Sequence, residues 1–391
     1  MNRRTFLKSA VMLGMPLRAY AATQADPVAV FSRWLAGAQP ADGHGLLTYF
    51  GPGSAHHPAP LSPLASANAL LFFLNTGQWQ PAQKIADGFV WWQRRIARQA
   101  SAWVRGGLPS EIVRTAGDWS PGRYYYSGDQ LVTIAALTRA YAHTGTGAYA
   151  ETALDMARWM RETLFDGVRL NVWRRNYGAP MVAFTSDGAM VRAIRADTAC
   201  LWLSALKALD PLDRASGWAQ RYEVGARFFA GGQSEYGCWY DHFHPSLRRG
   251  GDRWCWYGCD GQRPLLIGDN ALRSALGAVQ AGATQELEAF LRWLQPSAGV
   301  YLAGYLDPRT CRPAFLPGDR PYYDIVSTGL LRNLYHLLGR GTHAARCAQA
   351  LARLQSPNGG WYWGRRAVSL APLNQEQAVI TGVWASVDLV S

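Results

Sequence analysis

Tyr126-Ser-Gly-Asp129-Gln-Leu-Val-Thr-Ile-Ala-Ala-Leu-Thr-Arg-Ala-Tyr141 is the stretch that decides the fold. An acidic residue stands near its start, and the run from Leu131 to Leu137 is apolar on nearly every side. A helix without a wet face is buried all round. The arrangement returns at Arg-Ala-Asp197, Gly-Asp269-Asn, Tyr-Tyr-Asp324 and Asn-Gln-Glu376, after intervals of 68, 72, 55 and 52 residues. Such intervals suit a two-helix hairpin with its loops, repeated along the chain.

Working outward, runs whose apolar residues recur every three or four positions lie near 27–38, 62–76, 79–98, 127–144, 148–164, 194–208, 212–230, 268–281, 283–295, 322–338, 341–355 and 373–388. In the fifth run Tyr149, Ala153, Met156, Ala157, Met160 and Leu164 form one stripe, as Ala82, Ile85, Phe89, Trp92 and Ile96 do in the third. These read as outer helices with a wet face. In His143-Thr-Gly-Thr-Gly147 and Leu338-Gly-Arg-Gly341 glycine supplies the left-handed cap of a tight turn. Loops rich in Gly, Pro and aromatics fill 100–126, 165–193, 231–267 and 296–321. Loops of that length in a compact chain point to a role of their own. No strand–helix alternation runs through the sequence, which argues against a parallel α/β sheet. No polar linker interrupts the pattern either, so residues 23–391 are expected to form one domain.

Six hairpins with buried inner helices and amphipathic outer ones make an all-α (α/α)6 toroid, in which the inner-helix starts gather at one mouth. In architecture, residues 27–388 resemble the six-hairpin glycosidase and polysaccharide-lyase superfamily, with 126–141 the most typical segment. The resemblance implies an enzyme acting on saccharides, either a hydrolase or a lyase or uronyl epimerase. A second likeness, Leu354-Gln-Ser-Pro-Asn358-Gly-Gly-Trp361, is similar to the Gln-to-Trp motif of terpene cyclases, which are built on related toroids. The Asp-x-Asp-Asp of proton-donating cyclases is missing here, so Gly-Gly-Trp reads as a turn with an aromatic plug.

Residues 1–22 read as a twin-arginine signal peptide: Asn2-Arg3-Arg4-Thr-Phe-Leu-Lys8, a modest apolar stretch, then Ala19-Tyr-Ala21 before the cut. The expected route is the twin-arginine translocase, and the destination periplasmic or secreted. No later stretch holds about eighteen uninterrupted apolar residues, so no membrane span is expected. The formal net charge is +12, of which Arg3, Arg4, Lys8 and Arg18 account for four. The remaining basic excess suits an anionic polysaccharide or oligosaccharide. Nucleic acid is not expected, since the arginines are scattered and form no lysine-rich stripe.

Seventeen Trp and eighteen Tyr exceed what a core of this size needs. Those in loops are expected to stack on sugar faces while N–H and O–H groups reach hydroxyls. Trp119, Tyr125, Tyr126, Trp239, Tyr240, Tyr323 and Trp361 are the candidate platform. Acidic residues at helix starts also serve as caps. Convergence at one mouth would instead supply the two carboxylates that glycoside hydrolysis requires. Asp129 and Asp197 are the expected catalytic pair and the loop residue Asp118 the third candidate, with Asp187, Asp269 and Asp324 as further binding groups.

Cys238-Trp-Tyr240-Asp-His242-Phe-His244, with Arg248 and Arg249, allows a second chemistry. Tyr or His can abstract the proton beside a uronate carboxylate while Arg neutralises that carboxylate. The Asn-Asn-His run of alginate lyases is not found. A non-catalytic exopolysaccharide-binding or assembly protein is the alternative of a different class. The same loop holds Cys255 and Cys259. A disulfide from Cys238 to either is the plainer reading in an oxidising compartment, beside free thiols or a zinc site whose spacing matches no common motif. No metal ligand or cofactor is assigned, and nucleotide-binding glycine loops and a Gly-x-Ser-x-Gly elbow are absent.

The leader makes a direct prediction. N-terminal sequencing of the exported protein should begin near Ala22, and replacing Arg3 and Arg4 by lysine should leave the full-length precursor inside the cell.

Overall fold

The structure is a computed structural model that describes residues 26–54, 60–99, 104–115, 117–165, 177–191, 193–245, 251–257, 265–294, 304–314, 322–366, 372 and 376–386. The leader, Arg248, Arg249 and Cys259 lie outside the described residues. Among them are twelve α-helices: α1 (Pro27–Gly37), α2 (Pro63–Asn75), α3 (Trp79–Gln99), α4 (Ser127–Thr144), α5 (Gly147–Met160), α6 (Ala196–Leu209), α7 (Trp218–Ala230), α8 (Gly268–Ala281), α9 (Thr284–Leu294), α10 (Ile325–Leu337), α11 (Gly341–Leu354) and α12 (Val379–Ser386).

These helices form the (α/α)6 toroid that the sequence led us to expect. The inner ring runs α2, α4, α6, α8, α10, α12 and back to α2, each packed on the next. Each of α3, α5, α7, α9 and α11 covers the inner helix that precedes it in the chain. The sixth hairpin joins the two ends of the fold, because α12 takes its cover from α1. Phe31 of α1 lies on Gly382 of α12, where a Cβ would strike the ring. Inner segments such as Leu131–Leu137 are almost wholly buried, and the stripes of α3 and α5 face them. The short turns behave as their glycines required, with Gly145 at φ +71° and Gly339 at φ +67°.

Small antiparallel sheets occupy the long loops, whose strands the sequence did not locate. They are β1 (Ile112–Thr115) with β2 (Asp118–Pro121); β3 (Tyr124–Tyr126), β4 (Ala183–Thr185) and β5 (Met190–Val191); β6 (Ile194–Arg195), β7 (His242–His244) and β8 (Arg253–Cys255); β9 (Leu266–Ile267), β10 (Tyr305–Leu306) and β11 (Pro313–Ala314); and β12 (Tyr322–Asp324) with β13 (Gly364–Arg366). β3, β6, β9 and β12 each run straight into an inner helix, α4, α6, α8 and α10 respectively. The strand fixes where the helix begins, and so where the acid in its first turn stands. Among the described residues no helix is long and apolar enough to cross a membrane.

The closeness of the inner ring predicts the cost of one methyl group. A Cβ on Gly329 of α10 would run into the backbone carbonyl of Trp384 in α12, which has no rotamer with which to yield. Gly329→Ala should therefore lose about 1–3 kcal/mol or more by urea unfolding. Gly147→Ala at the start of α5, where a Cβ meets nothing within 4 Å, should be neutral or gain about 0.4–1 kcal/mol.

Candidate active site at the mouth of the inner ring

The first turns of α4, α6 and α8 open onto a cleft of about 460 Å³. Asp129, Asp197, Asp269 and Glu376 line it together with Arg195, Arg273, Thr198, Tyr49, Tyr126 and Trp363. Four acids that are far apart in sequence thus share one space. Tyr49 senses the same convergence: burial raises its pKa first, and the charges of Asp129, Glu376 and Asp269 add to the rise against Arg273.

Each acid has a different environment. Asp129 is not the cap of α4, which is Tyr126; its carboxyl is buried and hydrogen-bonds Ser110. Burial pushes its pKa up to about 7, against the Ser110 bond and the charge of Arg195. Burial disfavours the charged carboxylate, so the protonated form persists near neutrality. Asp197 is engaged on both oxygens. Arg195 donates from Nε to Oδ1 at 3.0 Å and from Nη2 to Oδ2 at 2.8 Å, and the Thr198 amide reaches Oδ1 at 2.8 Å. Asp269 is held more loosely, 3.6 Å from Arg273 one helical turn on. Asp324 does cap α10, accepting from the Ser327 amide at 2.6 Å. Burial and then Asp269 raise its pKa to about 7.

Arg195 knits the mouth together. Besides Asp197 it donates to the Asn270 carbonyl, and Asn270 donates to the buried Asp241 at 3.3 Å. Asp241 also accepts from the Tyr257 and Ile267 amides at 2.8 and 3.3 Å. α6, α8 and the β7 loop are thereby joined through one polar network. Arg195, Arg273 and Tyr49 were not among the expected site residues, Glu376 was noted only as a helix opener, and Trp363 is a further loop aromatic of the kind expected to stack on sugar. Arg195 does precede the acid in Arg-Ala-Asp197, and that adjacency was the available signal.

Other expected residues stand elsewhere. Asp118 is exposed on β2, paired with Arg95 at 2.6 Å, and is not part of the cleft lining. The Trp119 amide and Arg95 hold its pKa low. Asp187 sits at the β4–β5 turn with Arg123 at 2.9 Å. Four of the aromatics expected to stack on sugar are core residues. Tyr125 is 1% exposed beside Trp159, Trp239 is stacked on Phe229, and Trp361 is packed on Phe31 with its indole N–H on the Leu351 carbonyl. Trp119 is buried under Arg114. Their apolar area outweighed their place in a loop. Tyr323 is also buried. Tyr240 packs on Trp256, with its hydroxyl 3.5 Å from Glu235, and is not part of the cleft lining. Of the proposed platform only Tyr126 reaches the cleft, stacked against Tyr124 at 5.8 Å.

His242 and His244 lie on β7, beside Cys255 of β8. The expected bridge from Cys238 to Cys255 is not formed. The Cys238 thiol is buried, near Ser234 and 3.5 Å from the Pro308 carbonyl, and burial pushes its pKa up to about 12. Cys200 and Cys347 are small core residues.

No protein-family model matches the sequence, and no curated protein matches it. The fold is similar to that of an alpha-amylase from Clostridium perfringens (12% identity, covering 92% of this chain and 96% of that one, TM-score 0.65). It is also similar to cellobiose 2-epimerase from Spirochaeta thermophila (13%, 92% of each chain, TM-score 0.64). A family 8 glycosyl hydrolase, an endoglucanase from Klebsiella pneumoniae, is a third (12%, 93% and 97%, TM-score 0.57). At these identities the likeness is one of fold.

The environment of Asp129 sets a sign for stability against pH. Its folded pKa of about 7 lies above the ordinary carboxylate value, so between the two the folded state binds the extra proton and stability falls as pH rises. Asp129→Asn removes the buried charge. It should outstabilise the native chain at pH 8 by on the order of a few kcal/mol in urea unfolding, with the gain vanishing near pH 4.

Proposed function

We propose that this chain is an exported enzyme that hydrolyses a polysaccharide or oligosaccharide, an anionic one, between carboxylates at the mouth of the toroid. The observation that carries the reading is the buried Asp129 carboxyl, whose pKa burial pushes up to about 7, in the same cleft as Asp269 and Glu376. A glycosidase needs one carboxyl that can deliver a proton and a second that can accept one. Asp129 donates its proton to the glycosidic oxygen as the bond from the anomeric carbon to that oxygen breaks. A water oxygen bonds to the anomeric carbon, and Asp269 or Glu376 takes the proton that this water releases. Asp197, with both oxygens engaged, acts as the fixed counter-charge that orients Arg195. Tyr126 and Trp363, 40% and 46% exposed at the rim, offer ring faces to the sugar.

Support also comes from the company the fold keeps, since the amylase, the epimerase and the endoglucanase all act on saccharides by their names. A basic chain and two arginines in the lining favour an acidic polymer. Proton abstraction by Tyr240, His242 or His244 fits less well, because none of the three belongs to the described lining.

The mature protein should release reducing ends from a polysaccharide panel without absorbance from an unsaturated uronate. Asp129→Asn should lower turnover by about 10²–10⁴-fold while substrate affinity stays. An unsaturated product would replace hydrolysis by elimination. Saccharide binding with no turnover in the native chain would leave a binding or assembly protein.

A further inference from the structure

The sheet β6–β7–β8 brings together His242, His244 and Cys255, three side chains that the hydrolytic reading does not use. Arg195, His242 and Cys255 are cross-strand partners in one row, Arg195 opposite His242 and His242 opposite Cys255. Directly paired residues project to the same face, and so does the residue two positions along a strand. His244 therefore joins His242 and Cys255, while Phe243 between them is buried on the other side. One ligand atom from each of His242, His244 and Cys255 lies within 4.8 Å of the others. The two imidazoles meet edge to face with centroids 4.5 Å apart.

We propose that His242, His244 and Cys255 form a binding site for a borderline divalent transition-metal ion of the zinc type, which is not a component of the hydrolytic chemistry. A tetrahedral zinc with bonds of about 2.0–2.3 Å spaces its donors roughly 3.3–3.8 Å apart. The donors need to close by roughly 1 Å from their present spacing, a shift within the reach of side-chain torsions. Two imidazole nitrogens and one thiolate suit this ion better than calcium or magnesium, which take oxygen ligands. Three protein donors leave a fourth position for water. His242 and His244 are partly exposed whereas Cys255 is buried, so the ion has a solvent path and a fixed anionic anchor. Once bound, it pins β7 to β8 directly behind the strand that holds Arg195 at the cleft.

Cobalt(II) titration of the tag-free mature protein under reducing conditions tests the site. One cobalt per chain should bind with a thiolate-to-cobalt charge-transfer band, zinc should displace it, and zinc should raise the melting temperature. Cys255→Ser should abolish the band. His244→Ala, at a partly exposed position, guards against misfolding and should weaken cobalt binding by more than the roughly 10–100-fold that outer-shell changes cost. A band that survives Cys255→Ser, or no band in the folded native chain, overturns the proposal. So does peptide mapping that finds Cys255 of the exported protein in a disulfide. Saccharide hydrolysis is a separate readout, and its absence leaves this result unaffected.

Discussion

A helix that is apolar all round can exist in water only if every side of it is covered. The inner segments of this chain are of that kind, and the covering they need dictates the architecture. Neighbouring inner helices cover two flanks, an outer helix covers the third, and the ring must close because an open edge would expose another apolar flank. Glycines such as Gly329 and Gly382 let the last inner helix approach closely enough to seal it. Polar groups that stay in the ring wall are satisfied inside it, as where Arg332 donates to the Ala385 carbonyl and Asn333 to the Gly329 carbonyl.

Charge gathered at the mouth then has to be managed. A buried carboxylate is tolerated when it is paired, hydrogen-bonded or protonated, and the site uses all three. Asp197 is paired with Arg195, Asp324 is turned into a cap, and Asp129 is left to hold its proton. These outcomes follow from the strands that lead into the helices. β6 delivers Arg195 two residues ahead of Asp197, so the cation arrives with the acid it neutralises. Before α4 the corresponding strand β3 delivers aromatic residues, and Asp129 receives burial and a hydrogen bond with Ser110. One structural repeat thereby places carboxyls in unlike surroundings around one cleft.

The ring was legible in the sequence because its determinants are local and periodic: apolar runs, stripes, glycine turns and the spacing of the acids. Membership of Asp129, Asp197 and Asp269 in one cleft followed from the same repeat. What escaped was set by contacts between distant loops. Trp239 and Trp361 sit in loop sequence, yet each fills a gap against Phe229 or Phe31, and a loop position does not reveal whether a ring faces sugar or core. Asp118 shows the same limit for charge, since Arg95 on α3 takes it up on the surface. Tyr49 carries no motif at all, and only the closure of the ring brings it beside the acids, whereas Arg273 stands one helical turn after Asp269 and was a local signal left unread. The short strands also went unplaced, being two to four residues long and defined by partners across the loops.

The sixth hairpin, made from residues 27–37 and 379–386, has a meaning for the order of assembly. Helices far apart in the chain complete each other, so the ring cannot close before α12 has been made. Five hairpins can condense as they are synthesised, but the flanks of α2 and α10 that face α12 stay uncovered until that helix emerges. Such a nascent chain exposes apolar surface of the kind that draws in chaperones or a second copy. The eight residues of α12 complete the ring, and losing them would remove a whole wall of it.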